Sequence, residues 1–430
     1  MVSLFLSQIK IKNFLQEYTL FALYCIQAQS SRCLHGCGKL TGMKILAADI
    51  GTGTQDIYLY NSNLDMENNF KLIMPSPTMI IHRQIKLATE RGDPIILTGV
   101  TMGGGPSAWG IESHLRAGFQ VYATPEAART LNDDLEAVMG MGVEIVSVDE
   151  AEQLPVSVQR LKLLDFDLPS ITNAFETFGV NLDHVAAIVV GVFDHGYAPP
   201  NISDRQFRFD YLNERIRKLN RLSAFAYRAE DVPTSMTRMK AVVDSTKAID
   251  APVVVMDTAP AAVLGATLDP KVSARKRVIV VNVGNFHTLA FRVGPNGIDG
   301  LFEHHTGLVN LEKLETLLYA LADGTLCHDD VFGDQGHGAL VYDPSILVFG
   351  EGDYDVAITG PRRSIFHPAK SVIKEQSLRP YYPTPFGDMM ITGCFGLLAA
   401  TADVMPELAD SIGASLYYAD GRGVAPWDSD

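Results

Sequence analysis

KILAADIGTGTQDIYLY, residues 44–60, is the stretch from which the fold is read. Lys44 to Asp49 is apolar enough for a buried strand, Ile57 to Tyr60 is a second strand, and only a short Gly/Thr turn separates them. Two strands that close together make a hairpin, not a strand-to-helix junction. A turn rich in Gly and Thr can aim several backbone N–H groups at one point, creating a concave anion site that needs no lysine. Gly51 and Gly53 let a phosphate approach, Thr52 and Thr54 add hydroxyl donors, and Asp49 at the strand end is placed to hold Mg2+ through water. The same residues also suit an ordinary hairpin with a capped aspartate.

From Lys44 onward the chain alternates between strands and helices, the pattern of α/β architecture. Pro94 to Val100 is an apolar run followed by Gly103-Gly104-Gly105-Pro106, a helix from Ser107 to Arg116 and a strand from Gln120 to Thr124. Val185 to Val192 is a strongly β-type run that stops at Phe193-Asp194-His195-Gly196, and polar breaks at strand ends are where α/β proteins place chemistry. Asp210 to Phe225 carries Leu212, Ile216, Leu219 and Leu222 at helical spacing, with Arg215, Arg217, Lys218 and Arg221 as its solvated face. Val253 to Met256 is a strand leading into Pro260-Ala-Ala-Val-Leu-Gly265, a small-residue helix start that lets another backbone come close.

The strand-turn-strand pattern then restarts: Val278 to Asn282, the turn Val283-Gly284-Asn285-Phe286, and His287 to Val293. A lobe boundary at Asp269-Pro270-Lys271 follows, giving an N-terminal extension over 1–42, a first lobe with insertions over 43–270 and a second lobe over 271–430. Asn310 to Ala322 reads as a helix with Asn310 as N-cap and Gly324 as terminator. Ile346 to Phe349 and Asp355 to Ile358 read as short strands, and Met389 to Thr392 runs into Gly393-Cys394-Phe395-Gly396 and an apolar helix to about Ala400.

Length and composition agree with two lobes. A chain of 430 residues exceeds the size at which one core stops growing, and 47% apolar with 20% charged residues supports packed cores rather than disorder. The net charge of −15 disfavours general affinity for nucleic acid or an anionic membrane, so the expected partner is a small molecule, with a homodimer left open. Five scattered cysteines, Cys25, Cys33, Cys37, Cys327 and Cys394, do not form a disulfide framework and point to a reducing cytoplasm. No stretch reaches the ~18 apolar residues of a membrane span, and Tyr18 to Ala28 makes a poor signal peptide because Glu17 precedes it. Cys33 and Cys37 offer at most a weak metal pair.

Taken in order, four segments resemble the nucleotide-binding motifs of the actin, Hsp70 and sugar-kinase superfamily. Asp49-Ile-Gly-Thr-Gly-Thr54 is similar to its first phosphate motif, and Val281-Asn-Val-Gly-Asn-Phe-His-Thr288 to its second. Asp257-Thr-Ala-Pro-Ala-Ala-Val-Leu-Gly265 is similar to the connecting helix segment, and Met390-Ile-Thr-Gly-Cys-Phe-Gly396 sits where the adenosine motif belongs. The resemblance implies an α/β, two-lobed actin-like ATPase fold, a duplicated ribonuclease H-like unit with a central cleft. It also implies ATP or another nucleotide with Mg2+, phosphates held by Gly51 to Thr54 and by Asn282, Gly284, Asn285 and Thr288, and adenosine held at Gly393 and Gly396. Two departures bear on activity. The superfamily's second phosphate motif offers an Asp and consecutive glycines where this chain has Asn282 and Gly284-Asn285, so hydrolysis is expected to be slow or absent. Cys394 stands where a second Gly is common and would tighten the base pocket.

From Met43 the chain also resembles a microbial family of unknown function, some of whose members are labelled pyruvate formate-lyase-activating enzymes. That label implies radical S-adenosylmethionine chemistry and a three-cysteine cluster motif. Here Cys33 and Cys37 are followed by Gly38-Lys39-Leu40, the third ligand is missing, and this chemistry is not expected.

Other candidates lie where a substrate would sit. Asp194 occupies the kind of position from which the superfamily's sugar kinases supply a catalytic base, the alternative being an aspartate that caps its own turn. Gly103, Gly104 and Gly105 ahead of a helix could bind an anion, or form a tight turn. His195, His304 of Glu303-His304-His305, and His337 could bind substrate or metal, although adjacent strand residues face opposite ways, so only one of His304 and His305 can face a given site. Arg362 and Arg363 could clamp a carboxylate or phosphate. The leading reading is an ATP- and Mg2+-dependent phosphotransferase or ATPase with Asp49 on the metal and Asp194 orienting the acceptor. The alternatives are a catalytically degenerate binding module of the same fold, motivated by Asn282 and Cys394, and a metal-assisted hydrolase using His195, His304 and His337.

Overall fold

A computed structural model describes residues 42–367, 378–417 and 423–425. Residues 1–41, with Cys25, Cys33 and Cys37, lie outside the described residues. Two six-stranded sheets share one plan. In the first, β1 (Lys44–Ile50) pairs antiparallel with β2 (Thr54–Asn61), β2 pairs antiparallel with β3 (Phe70–Pro75), and on its other edge β1 runs parallel to β4 (Ala187–Val192), which runs parallel to β5 (Val253–Asp257). In the second, β6 (Val278–Val283) and β7 (His287–Gly294) form the hairpin, β8 (Gly297–His305) follows antiparallel, and β9 (Val356–Thr359) and β10 (Pro380–Tyr381) lie parallel on the other side.

The spatial order 3-2-1-4-5 therefore occurs twice. This is the duplicated ribonuclease H-like unit of the actin-like fold. Turns of a few residues allow the antiparallel steps, whereas a parallel step needs a crossover, which helices supply between β4 and β5 and between β8 and β9. The additional edge strands are Ala226–Arg228 on the first sheet and Gly338–Val341 on the second. Between β3 and β4 sits an inserted parallel sheet made of Ile95–Gly99, Val121–Ala123, Val143–Ile145 and Gln159–Leu163, and it carries the helix α1 (Pro106–Arg116).

Strand alternation divides β1 between two cores. Leu46, Ala48 and Ile50 pack with Ile188 and Val190 of β4 and with Phe209, Leu212 and Ile216 of α2 (Asp204–Lys218). Ile45 and Ala47 point the other way, onto Phe395, Leu397 and Leu398 of α5 (Thr392–Val404). Both faces are covered, so these central strands read as continuous apolar runs rather than alternating ones. A third core joins β6 and β9 to Leu314, Leu318 and Leu321 of α4 (Leu311–Asp323), where Asn310 accepts from the Lys313 amide at 2.9 Å and Gly324 closes the helix in the left-handed region. No described helix is long and apolar enough to cross a membrane.

The small-residue helix α3 (Thr258–Ala266) does admit a second backbone, that of α5. A Cβ on Gly265 would fall 1.8 Å from the Thr392 carbonyl oxygen, and one on Gly396 1.8 Å from that of Ala261. Gly265→Ala is expected to force the helices apart and cost ~2–3 kcal/mol, checked by urea denaturation with an unchanged slope.

Two expectations are corrected. The helix drawn over Asp210 to Phe225 begins earlier, at Asp204, because the Ser203 hydroxyl caps it on the Gln206 amide, and it ends at Lys218. Leu219 is extended and partly exposed, and Leu222–Phe225 form a separate 3-10 turn. Ile346 to Phe349 is not a strand: Ile346 and Val348 are exposed, and no strand among the described residues pairs with the segment. A short apolar run without a partner does not make a ladder.

Candidate functional site

The two hairpin turns face each other across one cleft of about 900 Å3. Each is closed in the same way, Gly51 N–H donating to the Thr54 carbonyl and Gly284 N–H to the His287 carbonyl, both at 2.9 Å. The glycine amides are thus spent inside the turns. Among the described residues, the amides of Thr52, Gly53, Asn285 and Phe286 make no hydrogen bond, and all four residues line the cleft. Gly53 and Asn285 meet closely: a Cβ on Gly53 would lie 2.8 Å from Asn285 Nδ2. The loop is braced from outside by Ser76, whose amide reaches the Gly53 carbonyl at 3.2 Å and whose hydroxyl reaches that of Thr52 at 2.5 Å.

At the floor, the hairpin register sets Asp49 directly opposite Asp56. Burial, opposed by the Thr258 hydroxyl bond and aided by Asp257, pushes the Asp49 carboxyl up to about 6. Burial and the Asp49 charge push Asp56 up to about 7. Thr258 Oγ1 donates to Asp49 Oδ1, whereas the buried Oδ1 of Asp56 has no hydrogen-bond partner among the described residues. Two carboxylates held this close to one unpaired buried oxygen form a donor set suited to a hard divalent cation.

Other sequence-derived candidates divide. Asn282, Asn285, Gly103, Gly104, Gly105 and His195 line the cleft. Gly393 lines it too, at the floor, where a Cβ would overlap Asp49 Oδ2, so the α5 end packs against that carboxylate. Gly396 does not reach the cleft and serves the α3 crossing instead. Thr288 is buried on the far side of β7, bonded to the Thr306 hydroxyl at 2.9 Å, because strand neighbours alternate faces. Asp194 is nine-tenths buried or more and both its oxygens accept backbone amides, Gly196 at 2.8 Å and Met239 at 2.9 Å. It lines the cleft while capping its own turn, and burial raises its carboxyl above the usual range. Arg363 lines the cleft but ties its Nη1 to the Gly360 carbonyl at 2.9 Å; Arg362 is not among the lining residues.

His304 is also corrected. It points away from the cleft, with Nε2 3.1 Å from Asp334 and Nδ1 3.3 Å from the His305 carbonyl. Its neighbours Glu303 and His305 occupy the opposite face of β8, where the register places His287 across from His305. There His195, His287, Glu303 and His337 converge, with one donor atom from each within 4.8 Å of the others. Glu303 is held anionic: burial alone would raise its carboxyl, but Arg208, His337 and His287 outweigh it and set it well below the usual range. Burial pushes the His195 imidazole well below 6.5 and that of His337 to about 3.

Sequence analysis did not single out Arg208, His287 as a donor, or Glu303 as the centre of this cluster. Arg208, fully buried on α2, donates to Asp257 of β5 and, through Nε at 3.2 Å, to Glu303 Oε2 of β8. It also reaches the Asp194 carbonyl at 3.1 Å and lies over the Phe193 ring at 4.5 Å. One cation thus joins the two sheets. Glu303-x-His305 with period-two spacing was the available signal, but the register across to His287 is not local information.

The family model described as "Putative pyruvate format-lyase activating enzyme (DUF1786)" matches residues 102–365. No curated protein matches the sequence. Among solved structures, the chain is similar to a ROK family transcriptional regulator, a homolog of the E. coli MLC protein, at 12% identity and TM-score 0.25, over 60% of this chain and 38% of that one. It is similar to ROK hexokinase from Thermus thermophilus at 12% identity and TM-score 0.22, over 60% and 48%. It is similar to a propionate kinase from Francisella tularensis subsp. tularensis SCHU S4 at 10% identity and TM-score 0.22, over 63% and 59%. The chain spans less than two thirds of the length of each of these three proteins.

Proposed function

This chain belongs to the DUF1786 family, and we propose that its cleft binds ATP or another nucleotide with Mg2+ and serves a phosphotransferase or ATPase acting on a small molecule. One observation carries the reading: two hairpin turns, one from each sheet, present unbonded amides to a shared cleft whose floor holds a pair of carboxylates. Amides of Thr52 and Gly53 on one side and of Asn285 and Phe286 on the other would grip phosphate oxygens, since converging N–H groups form an anion site. Asp49 and Asp56 would hold the Mg2+ ion, which supplies charge neutralisation to the phosphates. Thr258 keeps Asp49 oriented through its hydroxyl. Asp194 and His195, neighbours on the cleft wall, would orient the acceptor, each Asp194 oxygen already accepting one backbone amide. The family's printed name supports no radical step here, because the matched segment contains a single cysteine, Cys327. Calorimetric titration of the chain with ATP, ADP and a non-hydrolysable analogue in the presence of Mg2+ tests the proposal. Saturable binding of at least one is expected, and absence of binding by all three ends it.

The carboxylate pair gives a stability signature. Both carboxyls sit above their ordinary value of 3.8 in the folded chain, near 6 and 7. Well below pH 3.8 both are protonated, folded or unfolded, and cost nothing. As pH climbs through 6 and 7 the unfolded chain has already released protons that the native state still holds, so stability falls. The melting temperature of the nucleotide-free chain is expected to drop between pH 5 and pH 8. Asp56→Asn should flatten that slope and raise the pH 8 value by roughly 2–4 °C, read by differential scanning calorimetry.

A further inference from the structure

We propose that His195, His287, Glu303 and His337 form a mononuclear site for a first-row transition ion of the Zn2+ class, separate from the carboxylate pair at Asp49. The first support is geometric. Four donor atoms within 4.8 Å of one another come from four places in the chain: the segment just after β4, β7, β8, and the turn before Gly338–Val341. Donors about 2.0–2.2 Å from a tetrahedral ion lie roughly 3.3–3.6 Å apart, so closing the set needs side-chain movements of about one ångström.

The second support is a set of buried polar atoms that protein alone leaves unsatisfied. Glu303 is 0% exposed and His337 1% exposed, yet Glu303 Oε1, His337 Nδ1 and His287 Nδ1 have no hydrogen-bond partner among the described residues. They lie together, His337 Nδ1 3.7 Å from Glu303 Oε1 and His287 Nδ1 2.9 Å from it, the latter at hydrogen-bond distance but outside hydrogen-bond geometry. Buried polar atoms are nearly always paired, and three such orphans at one point call for a shared partner.

The third support is the division of labour on Glu303. Arg208 occupies Oε2, which fixes the carboxylate and leaves Oε1 to face the imidazoles, as outer hydrogen bonds orient a ligating group. Arg208 also carries a single positive charge against two buried carboxylates, Asp257 and Glu303, and a cation at Oε1 offsets the excess.

Three nitrogens and one oxygen favour Zn2+, Co2+, Ni2+ or Fe2+ over Mg2+, which prefers an all-oxygen shell that keeps several waters. His195 and His287 line the cleft, so the ion would sit in its wall within reach of a bound molecule's oxygen. Because His195 comes from the first sheet and the other three from the second, the ion would also tie the two halves together.

Co2+ titrated into the untagged, EDTA-treated full chain tests the site, with visible absorption and calorimetry as readouts. One equivalent is expected to bind with a d–d band of low-symmetry nitrogen and oxygen ligation, and Zn2+ should displace it. Glu303→Gln and His337→Ala should each weaken Co2+ affinity at least 100-fold, while His304→Asn, on the opposite face of β8, leaves it unchanged. Asp49→Asn should also leave it unchanged, so failure of the nucleotide proposal does not touch this one. Circular dichroism confirms that each variant is folded; if His337→Ala is not, His195→Asn replaces it with the same expectation. Absence of saturable Co2+ and Zn2+ binding by the native chain overturns the proposal, as a proton shared between His287 and Glu303 would predict. Binding that survives Glu303→Gln and the folded histidine variant overturns it too.

Discussion

Replacing Arg208 with methionine is expected to lower the unfolding free energy by about 3–5 kcal/mol, the cost of stranding buried charges by removing their partner. The side chain is fully buried, and its guanidinium serves Asp257 on one sheet and Glu303 on the other. Burial works against the guanidinium charge, but the two carboxylates outweigh it and hold Arg208 protonated. Without Arg208, Asp257 keeps only its bond from the Ala259 amide at 3.0 Å, and Glu303 loses the donor at Oε2. Methionine fills much of the volume, so the loss reports on charge rather than on a cavity. Urea denaturation gives the magnitude. The combined Arg208→Met, Asp257→Asn, Glu303→Gln chain should recover a large part of it, because neutral isosteres carry no desolvated charge. If the single variant costs less than 1 kcal/mol, the ion network does not hold the sheets as described.

Asp49→Asn is expected to abolish the Mg2+ dependence of nucleotide binding, a loss on the order of 10²-fold in apparent affinity at saturating Mg2+. Asparagine preserves the shape and can still accept from Thr258, so the turn geometry survives while the charge that would hold the cation is gone. ADP titrations with and without Mg2+, on the native chain and the variant, make the comparison. A native chain that binds ADP equally well with and without Mg2+ would contradict the assignment of the carboxylate pair, even with the amide clasp intact.

The duplicated hairpins were legible in the sequence because they are local. A strand, a turn and a returning strand place their apolar residues within about fifteen positions, and the Gly/Thr and Gly/Asn turns mark where the chain reverses. The same locality exposed α4 through its Asn310 cap and Gly324 stop. The end of α2 was missed because spacing continued past it: Leu219 and Leu222 keep the helical period, but the backbone at Leu219 is already extended. Gly396 was recognised as special, yet for a base pocket rather than for a helix crossing, since a small residue reports close approach without saying what approaches.

The sequence by itself determined two repeated strand-turn-strand units, a cleft between them, and Asp49 with its glycine-rich turn at the floor. Only the tertiary structure decided which groups share that cleft. Asp194 lines it with each oxygen accepting a backbone amide, Thr288 and His304 face away, and His287 enters, with Glu303 and Arg208 fully buried behind it. The reason is register: the side chains of a strand alternate, so a shift of one residue decides between the cleft and the far side. Which positions lie opposite is set by pairing between segments far apart in the chain.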